Sequence, residues 1–160
     1  MIRVMLADDQ KILAEGIRSV LDTCPDIEVC GVACDGVAAV EMAKTLKPDV
    51  ILMDVRMPEM NGVAATKRIK ESDPGIKIII LTTFDDSDYI LSGINNGASG
   101  YLLKDIGSAA LIDAIKNAYE GDTILPSKIA KKITDAAMMV SSDRQIKLKK
   151  AYGLSDREVD

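Results

Sequence analysis

The sequence predicts an α/β domain: a doubly wound, five-stranded parallel sheet in the order 2-1-3-4-5, with five flanking helices. Three observations predict it. Short apolar runs alternate with longer amphipathic ones over residues 2–121. Helix breakers fall in the gaps between them. The run Val50–Met53 ("VILM") is apolar at every position, as in a strand covered on both faces.

The strands come in order as "IRVMLA" (2–7), "IEVCGV" (27–32), "VILM" (50–53), "KIIILT" (77–82) and "GYLL" (100–103). Helical spacing lies between and after them. Leu13, Ile17, Val20 and Leu21 make the first stripe, and Val37, Val40 and Ala43 the second. Ala65 and Ile69 mark a third helix, Ile90 and Ile94 a fourth, and Leu111, Ile115 and Ala118 a fifth. Pro48 stops the second helix and "DPG" (73–75) the third; Gly97 and Gly121 stand where the fourth and fifth need caps. Strands alternating with helices imply βαβ units, and right-handed crossovers leave few topologies besides the one above.

Beyond Gly121 the rhythm stops. The expected organisation is a domain over 1–122, a partly helical linker over 123–153, and the first turn of a further domain at 154–160. Within the linker, "IAKKITDAAMMV" (129–140) carries a packing stripe, and "RQIKLKK" (144–150) reads as a solvated basic face or a contact to nucleic-acid phosphates. Ser155 and Glu158 have capping-box spacing.

The composition is that of a globular protein, and the net charge of −5 argues against a chain built to sit on nucleic acid or an anionic membrane. The absence of histidine excludes most zinc sites and every histidine-dependent triad. The three cysteines, an odd number without a CxxC pair, read as reduced and structural, as in a cytoplasmic protein. The charged start "MIRVMLADDQ" is no signal peptide, and no apolar run is long enough for a bilayer.

Ligands of a parallel α/β sheet sit beyond the carboxyl ends of its strands. The first strand presents Asp8 and Asp9 there, the third Asp54, the fourth Thr82 and Thr83, and the fifth Lys104. In the order 2-1-3-4-5 these strands are neighbours, so the groups converge. Three carboxylates in one crevice repel one another. A hard divalent cation and the Lys104 ammonium offset that repulsion, and Mg²⁺ suits such a site because it keeps places for water and phosphate oxygens. A carboxylate beside Mg²⁺ can attack a phosphoryl group and form an aspartyl phosphate. Asp54, which follows the buried central strand, is the best placed nucleophile, with Thr82 and Lys104 beside the phosphoryl group.

With these residues in view, positions 1–122 resemble the receiver domain of a bacterial two-component response regulator, a flavodoxin-like fold. The motifs are "ADD" (7–9), "MDVRMPEMNG" (53–62), "LTT" (81–83) and "YLLKD" (101–105). "LTTFDD" and "GASGYLLKD" are similar to the LuxR-type (NarL/FixJ) subfamily, and "LSDRE" (154–158) resembles the opening of its helix-turn-helix DNA-binding domain.

The resemblance implies that Asp54 takes a phosphoryl group from a phosphohistidine of a sensor histidine kinase. It implies that Asp9, Asp54 and the backbone carbonyl of Arg56 bind Mg²⁺ with help from Asp8. Thr82 and Lys104 would hold the phosphoryl oxygens, and Tyr101 would swing inward behind Thr82 as the second switch residue. Phosphorylation would favour a homodimer, through helices 1 and 5 or helices 4 and 5, and so control transcription. DNA would be bound only through the C-terminal domain, expected to be cut off after Asp160. Such a protein is a phosphoacceptor switch, capable at most of slow self-phosphorylation from small donors and self-dephosphorylation. In this family a proline with a cis bond often follows the lysine; here Asp105 follows Lys104, so a trans bond is expected.

Three rival readings fit the sequence less well. An aspartyl-phosphate Mg²⁺ phosphohydrolase needs a second acid/base carboxylate near its nucleophile, and Arg56 stands two residues after Asp54. A flavin-nucleotide binder needs a glycine-rich phosphate loop after the first strand, where the anionic "ADDQK" stands instead. A scaffold without phosphorylation has no need of the full set Asp8, Asp9, Asp54, Thr82 and Lys104.

Overall fold

The computed structural model describes residues 1–82 and 96–125. The chain divides into two compact units, Met1–Pro126 and Ser127–Asp160, and the described residues belong to the first. The expected helix at Ile90 and Ile94, Thr83, the linker stripe and the "LSDRE" segment lie outside the described residues.

Five strands form one sheet: β1 (Ile2–Ala7), β2 (Ile27–Ala33), β3 (Val50–Asp54), β4 (Lys77–Thr82) and β5 (Gly100–Leu103). All pairings are parallel, and the order is β2-β1-β3-β4-β5, as the sequence predicts. Four described helices connect or follow them: α1 (Lys11–Asp22), α2 (Gly36–Leu46), α3 (Gly62–Ser72) and α4 (Ser108–Tyr119). The last is the helix expected at Leu111 and Ile115. None of the described helices is long and apolar enough to cross a membrane.

Strand residues alternate between two buried faces. Val4, Leu6, Val50, Leu52, Ile79, Leu81 and Leu102 join Leu21 of α1 and Leu111, Ala114, Ile115 and Ala118 of α4 in one core cluster. Met5, Ile51, Met53, Ile78, Ile80 and Tyr101 point the other way, and all are fully buried. Over β2, β1 and β3 that second face is covered by α2 and α3, whose inward stripes are Ala39, Val40 and Ala43, and Ala65 and Ile69. One expected core position differs: Val37 is 46% exposed, because the first turn of α2 turns Gly36 inward instead. The first helix is less deeply seated than its stripe suggests, with Ala14 and Leu21 buried and Leu13, Ile17 and Val20 only half-buried.

Local chemistry sets the helix ends that face the site. Asp35 accepts a hydrogen bond from the Ala38 amide at 2.7 Å, and Asn61 one from the Ala64 amide at 2.8 Å, so α2 and α3 each begin on a side-chain cap. At the other end of α2, Lys47 takes the left-handed conformation (φ 48°) just before Pro48. Gly121, with φ 101°, closes α4. The described peptide bonds are all trans, that between Lys104 and Asp105 included.

Two strands run further than expected, and both extensions matter to the site. β2 reaches Ala33, whose carbonyl accepts the Asp8 amide at 2.9 Å. β3 reaches Asp54, so that residue belongs to the ladder and pairs in register with Leu81 of β4.

Candidate functional site

Register brings the strand ends level. Ala7 pairs with Met53, so Asp8 and Asp54 are the next residues on adjacent strands. Thr82 is one residue beyond Leu81, the partner of Asp54, and pairs with Leu103, after which comes Lys104. The Lys104 amide donates to the Thr82 carbonyl at 2.9 Å, which carries the pairing one residue past the strand.

The result is a cluster. One carboxylate oxygen each from Asp8, Asp9 and Asp54 lie within 4.8 Å of one another. Asp8 and Asp54 are 3% and 2% exposed, whereas Asp9 opens to solvent. Lys104 Nζ stands 2.8 Å from Asp54 Oδ1. The two form an ion pair, and among the described residues no other group donates to that oxygen. Asp8 Oδ1 accepts the Gln10 amide at 2.8 Å, a turn that leads the chain into α1. Its other oxygen, Oδ2, is buried with no hydrogen-bond partner.

A buried carboxylate oxygen with no partner, as Asp8 Oδ2 is, is costly unless something else satisfies it, and the single ammonium at Asp54 Oδ1 leaves three crowded acids undercompensated. Burial is the main cause that pushes the Asp8 carboxyl above its ordinary range, and the charges of Asp54 and Asp9 add to it; the Gln10 amide and Lys104 pull the other way. A hard cation would meet the unpartnered Asp8 oxygen and offset the crowded charge, and all the side-chain donors are oxygens, the set that Mg²⁺ or Ca²⁺ takes. The residues present therefore fit a divalent cation.

The remaining expected residues sit around this cluster in different ways. Thr82 is fully buried at the end of β4. Arg56 follows Asp54 by two residues in the β3–α3 loop and its side chain is exposed. Tyr101 is fully buried in β5, paired with Ile80, and its amide donates to the Ile124 carbonyl at 2.8 Å. Its side chain lies on the same sheet face as that of Ile80, its register partner.

Sequence reasoning missed the residues that hold the β3–α3 loop. The Gly62 amide donates to the Val55 carbonyl at 2.8 Å, folding the loop back on itself. A Cβ on Gly62 would collide with the Asp54 carbonyl oxygen and stand 3.0 Å from Met53 Cγ. On the outer side a Cβ on Gly36 would collide with the Met60 carbonyl. Val55 and Met57 are buried beneath the loop, and Glu59 turns it with φ 68°. The signal was present: "DG" (35–36) and "NG" (61–62) each put glycine at the first position of a helix, where many better helix formers would serve.

Comparison with known proteins agrees with this geometry. Residues 4–116 match the family model described as the response regulator receiver domain. The chain is 50% identical over 132 residues to the Bacillus subtilis transcriptional regulatory protein YxjL, covering 82% of this chain and 61% of that one. It is 47% identical over 135 residues to the transcriptional regulatory protein LiaR of the same organism, covering 83% of this chain and 63% of the relative. It therefore spans about three fifths of the length of these curated relatives. Among solved structures, a LuxR-family two-component response regulator from Aurantimonas sp. SI85-9A1 superposes with a TM-score of 0.80 at 31% identity, over 86% of this chain and 99% of that one. The receiver domain of the response regulator NarL from Mycobacterium tuberculosis gives 0.72 at 30% identity, over 75% and 97%. Fold, strand-end acids and sequence similarity point the same way: the chain belongs to the response regulator receiver domain family, in its LuxR-type branch.

Proposed function

We propose that Asp54 is the phosphoacceptor of a two-component switch. The observation that carries this reading is the gathering of Asp8, Asp9 and Asp54 within 4.8 Å, with Lys104 Nζ 2.8 Å from the Asp54 carboxylate. An Asp54 carboxylate oxygen attacks the phosphorus of a phosphohistidine on a sensor histidine kinase. The P–O bond forms, the P–N bond breaks, and the imidazole leaves with the electron pair. Asp8, Asp9, Asp54 and the Arg56 carbonyl hold Mg²⁺, which when bound offsets charge on the phosphoryl oxygens. Lys104 turns from the carboxylate to the phosphoryl group, and the Thr82 hydroxyl donates to a phosphoryl oxygen.

The phosphoryl group adds charge and acceptor oxygens where a carboxylate stood. It acts by favouring one of two conformations, and moving from mostly off to mostly on takes about 5 kcal/mol of differential stabilisation. Charge-assisted bonds to Lys104 and Thr82 are of that order when summed. Tyr101 follows Thr82 as the second moving part, and the switched state is a homodimer. Transcriptional control fits the names of the relatives, with the receiver over 1–122, a linker over 123–153 and a DNA-binding domain that opens at 154–160. Cytoplasmic placement follows from the kinase and DNA partners. The protein is a phosphoacceptor switch; beyond taking the phosphoryl group from the kinase, its own chemistry is limited to slow self-phosphorylation from small donors and self-dephosphorylation.

Incubation with acetyl phosphate and Mg²⁺, followed by intact-mass measurement, tests the reading. The parent should gain one phosphoryl mass and Asp54→Asn none. Equal adducts on both would overturn it.

A further inference from the structure

The β2–α2 corner carries no acid, hydroxyl or amine of the proposed site, yet it touches both halves of it. At one end of the corner the Ala33 carbonyl accepts the Asp8 amide at 2.9 Å, which fixes where β1 delivers its acids. At the other end Gly36, buried at the first position of α2, packs against the backbone of Met60. A Cβ there would collide with the Met60 carbonyl oxygen and stand 2.7 Å from both its carbonyl carbon and its Cβ. Backbone cannot swing aside as a side-chain tip does, so any residue larger than glycine displaces the loop or the helix.

Met60 belongs to the same short loop as Arg56, and the other end of that loop is fastened by the contact of Gly62 with the Asp54 carbonyl. We infer that Gly36 is a positioning residue: by admitting the Met60 backbone against α2, it sets where the 55–61 loop stands relative to Asp8. The corner thus works as a spacer between the two segments that supply the cation ligands, held at one end by a hydrogen bond and at the other by the missing side chain. Asp35, which caps α2 through the Ala38 amide at 2.7 Å, keeps the first turn of the helix from yielding. This inference rests on the reading of the acid cluster as a cation site beside a phosphoacceptor.

Gly36→Ala tests it, with Gly16→Ala as the matched control. Gly16 lies in α1 with nothing within 4 Å of an added Cβ, so the same chemical change meets no obstacle there. Alanine is the better helix former at both positions, so lost helix propensity cannot explain a defect. Binding is read with Mn²⁺ alone, by the electron paramagnetic resonance of the free ion, and folding by circular dichroism. Gly36→Ala should keep its fold and weaken Mn²⁺ binding about tenfold or more, the usual effect of disturbing groups that orient metal ligands. Gly16→Ala should bind as the parent does. An unchanged affinity in Gly36→Ala, or an equal loss in Gly16→Ala, overturns the inference. If Gly36→Ala does not fold, Asp35→Ala carries the test: it removes the cap on the Ala38 amide and frees the first turn of α2 to move away from the loop, with Asp35→Asn, which keeps an accepting oxygen, as its control, and parent-like Mn²⁺ binding in Asp35→Ala overturns the inference too. A parent that binds no Mn²⁺, or an Asp54→Asn variant that gains the parent's phosphoryl mass, defeats the underlying site reading. Failure confined to Gly36→Ala defeats only the spacer.

Discussion

Lys104 Nζ stands 2.8 Å from Asp54 Oδ1 on the far side of β4, and the two are brought together by strand register rather than by sequence proximity. The ammonium compensates one of three crowded acids, and it competes with any cation for the same oxygen. Lys104→Met should therefore do two opposite things. Metal-free stability should fall by roughly 1–2 kcal/mol, less than for a fully buried pair because the lysine side chain is 23% exposed. Cation affinity should rise about tenfold, since a positive charge beside the ligands has gone. Urea unfolding with and without Mg²⁺ measures both, and unchanged cation affinity would contradict the competition.

Asp8 is buried with an unpartnered oxygen, and burial raises its pKa. The folded chain then holds the Asp8 proton more tightly than the unfolded chain does. The stability this contributes is fully present below the ordinary value of 3.8 and is lost as pH rises through the raised folded-state value. Asp8→Asn should remove that pH dependence and stabilise the metal-free protein at neutral pH by on the order of 1 kcal/mol, a rise in melting temperature of about 3 °C. It should weaken Mg²⁺ binding at the same time. A variant that melts below the parent without metal would show that the Asp8 charge is not a burden.

Mg²⁺ itself should stabilise the parent. At one hundred times its dissociation constant the gain is about 2.7 kcal/mol, which appears as an upward shift in thermal melting that a chelator reverses. The same addition should shift Asp8→Asn and Asp54→Asn far less. As pH falls through the raised Asp8 pKa, protons compete for the ligand oxygens and the shift should shrink.

Gly62→Ala should be costly for the fold. The new methyl meets the Asp54 carbonyl oxygen and the Met53 side chain, both buried, so the loop or the strand end must move. A loss of about 3 kcal/mol is expected in denaturant unfolding. Asn61→Ala, one residue earlier, loses only the cap on the Ala64 amide and should cost about 1 kcal/mol. Comparable losses in the two variants would contradict the close approach at Gly62.

Much of this molecule is written in patterns that act over a few residues. Val50–Met53 declares a strand covered on both faces because each side chain needs apolar neighbours, and Pro48 and the "DPG" turn stop helices through backbone sterics alone. Those local rules, with the handedness of crossovers, narrowed the topology to a few, of which the order 2-1-3-4-5 led and is the one observed, and they listed which groups stand at the carboxyl ends. Tertiary structure decided what local rules cannot see. It turned Val37 outward and Gly36 inward, because the first turn of α2 must pass close to Met60. It left one oxygen of Asp8 buried without a partner, and it put the Lys104 charge beside the buried carboxylate of Asp54. Distances of a few ångströms between segments dozens of residues apart depend on register and close packing, and a glycine whose role is to leave room reads in the sequence like any other turn residue.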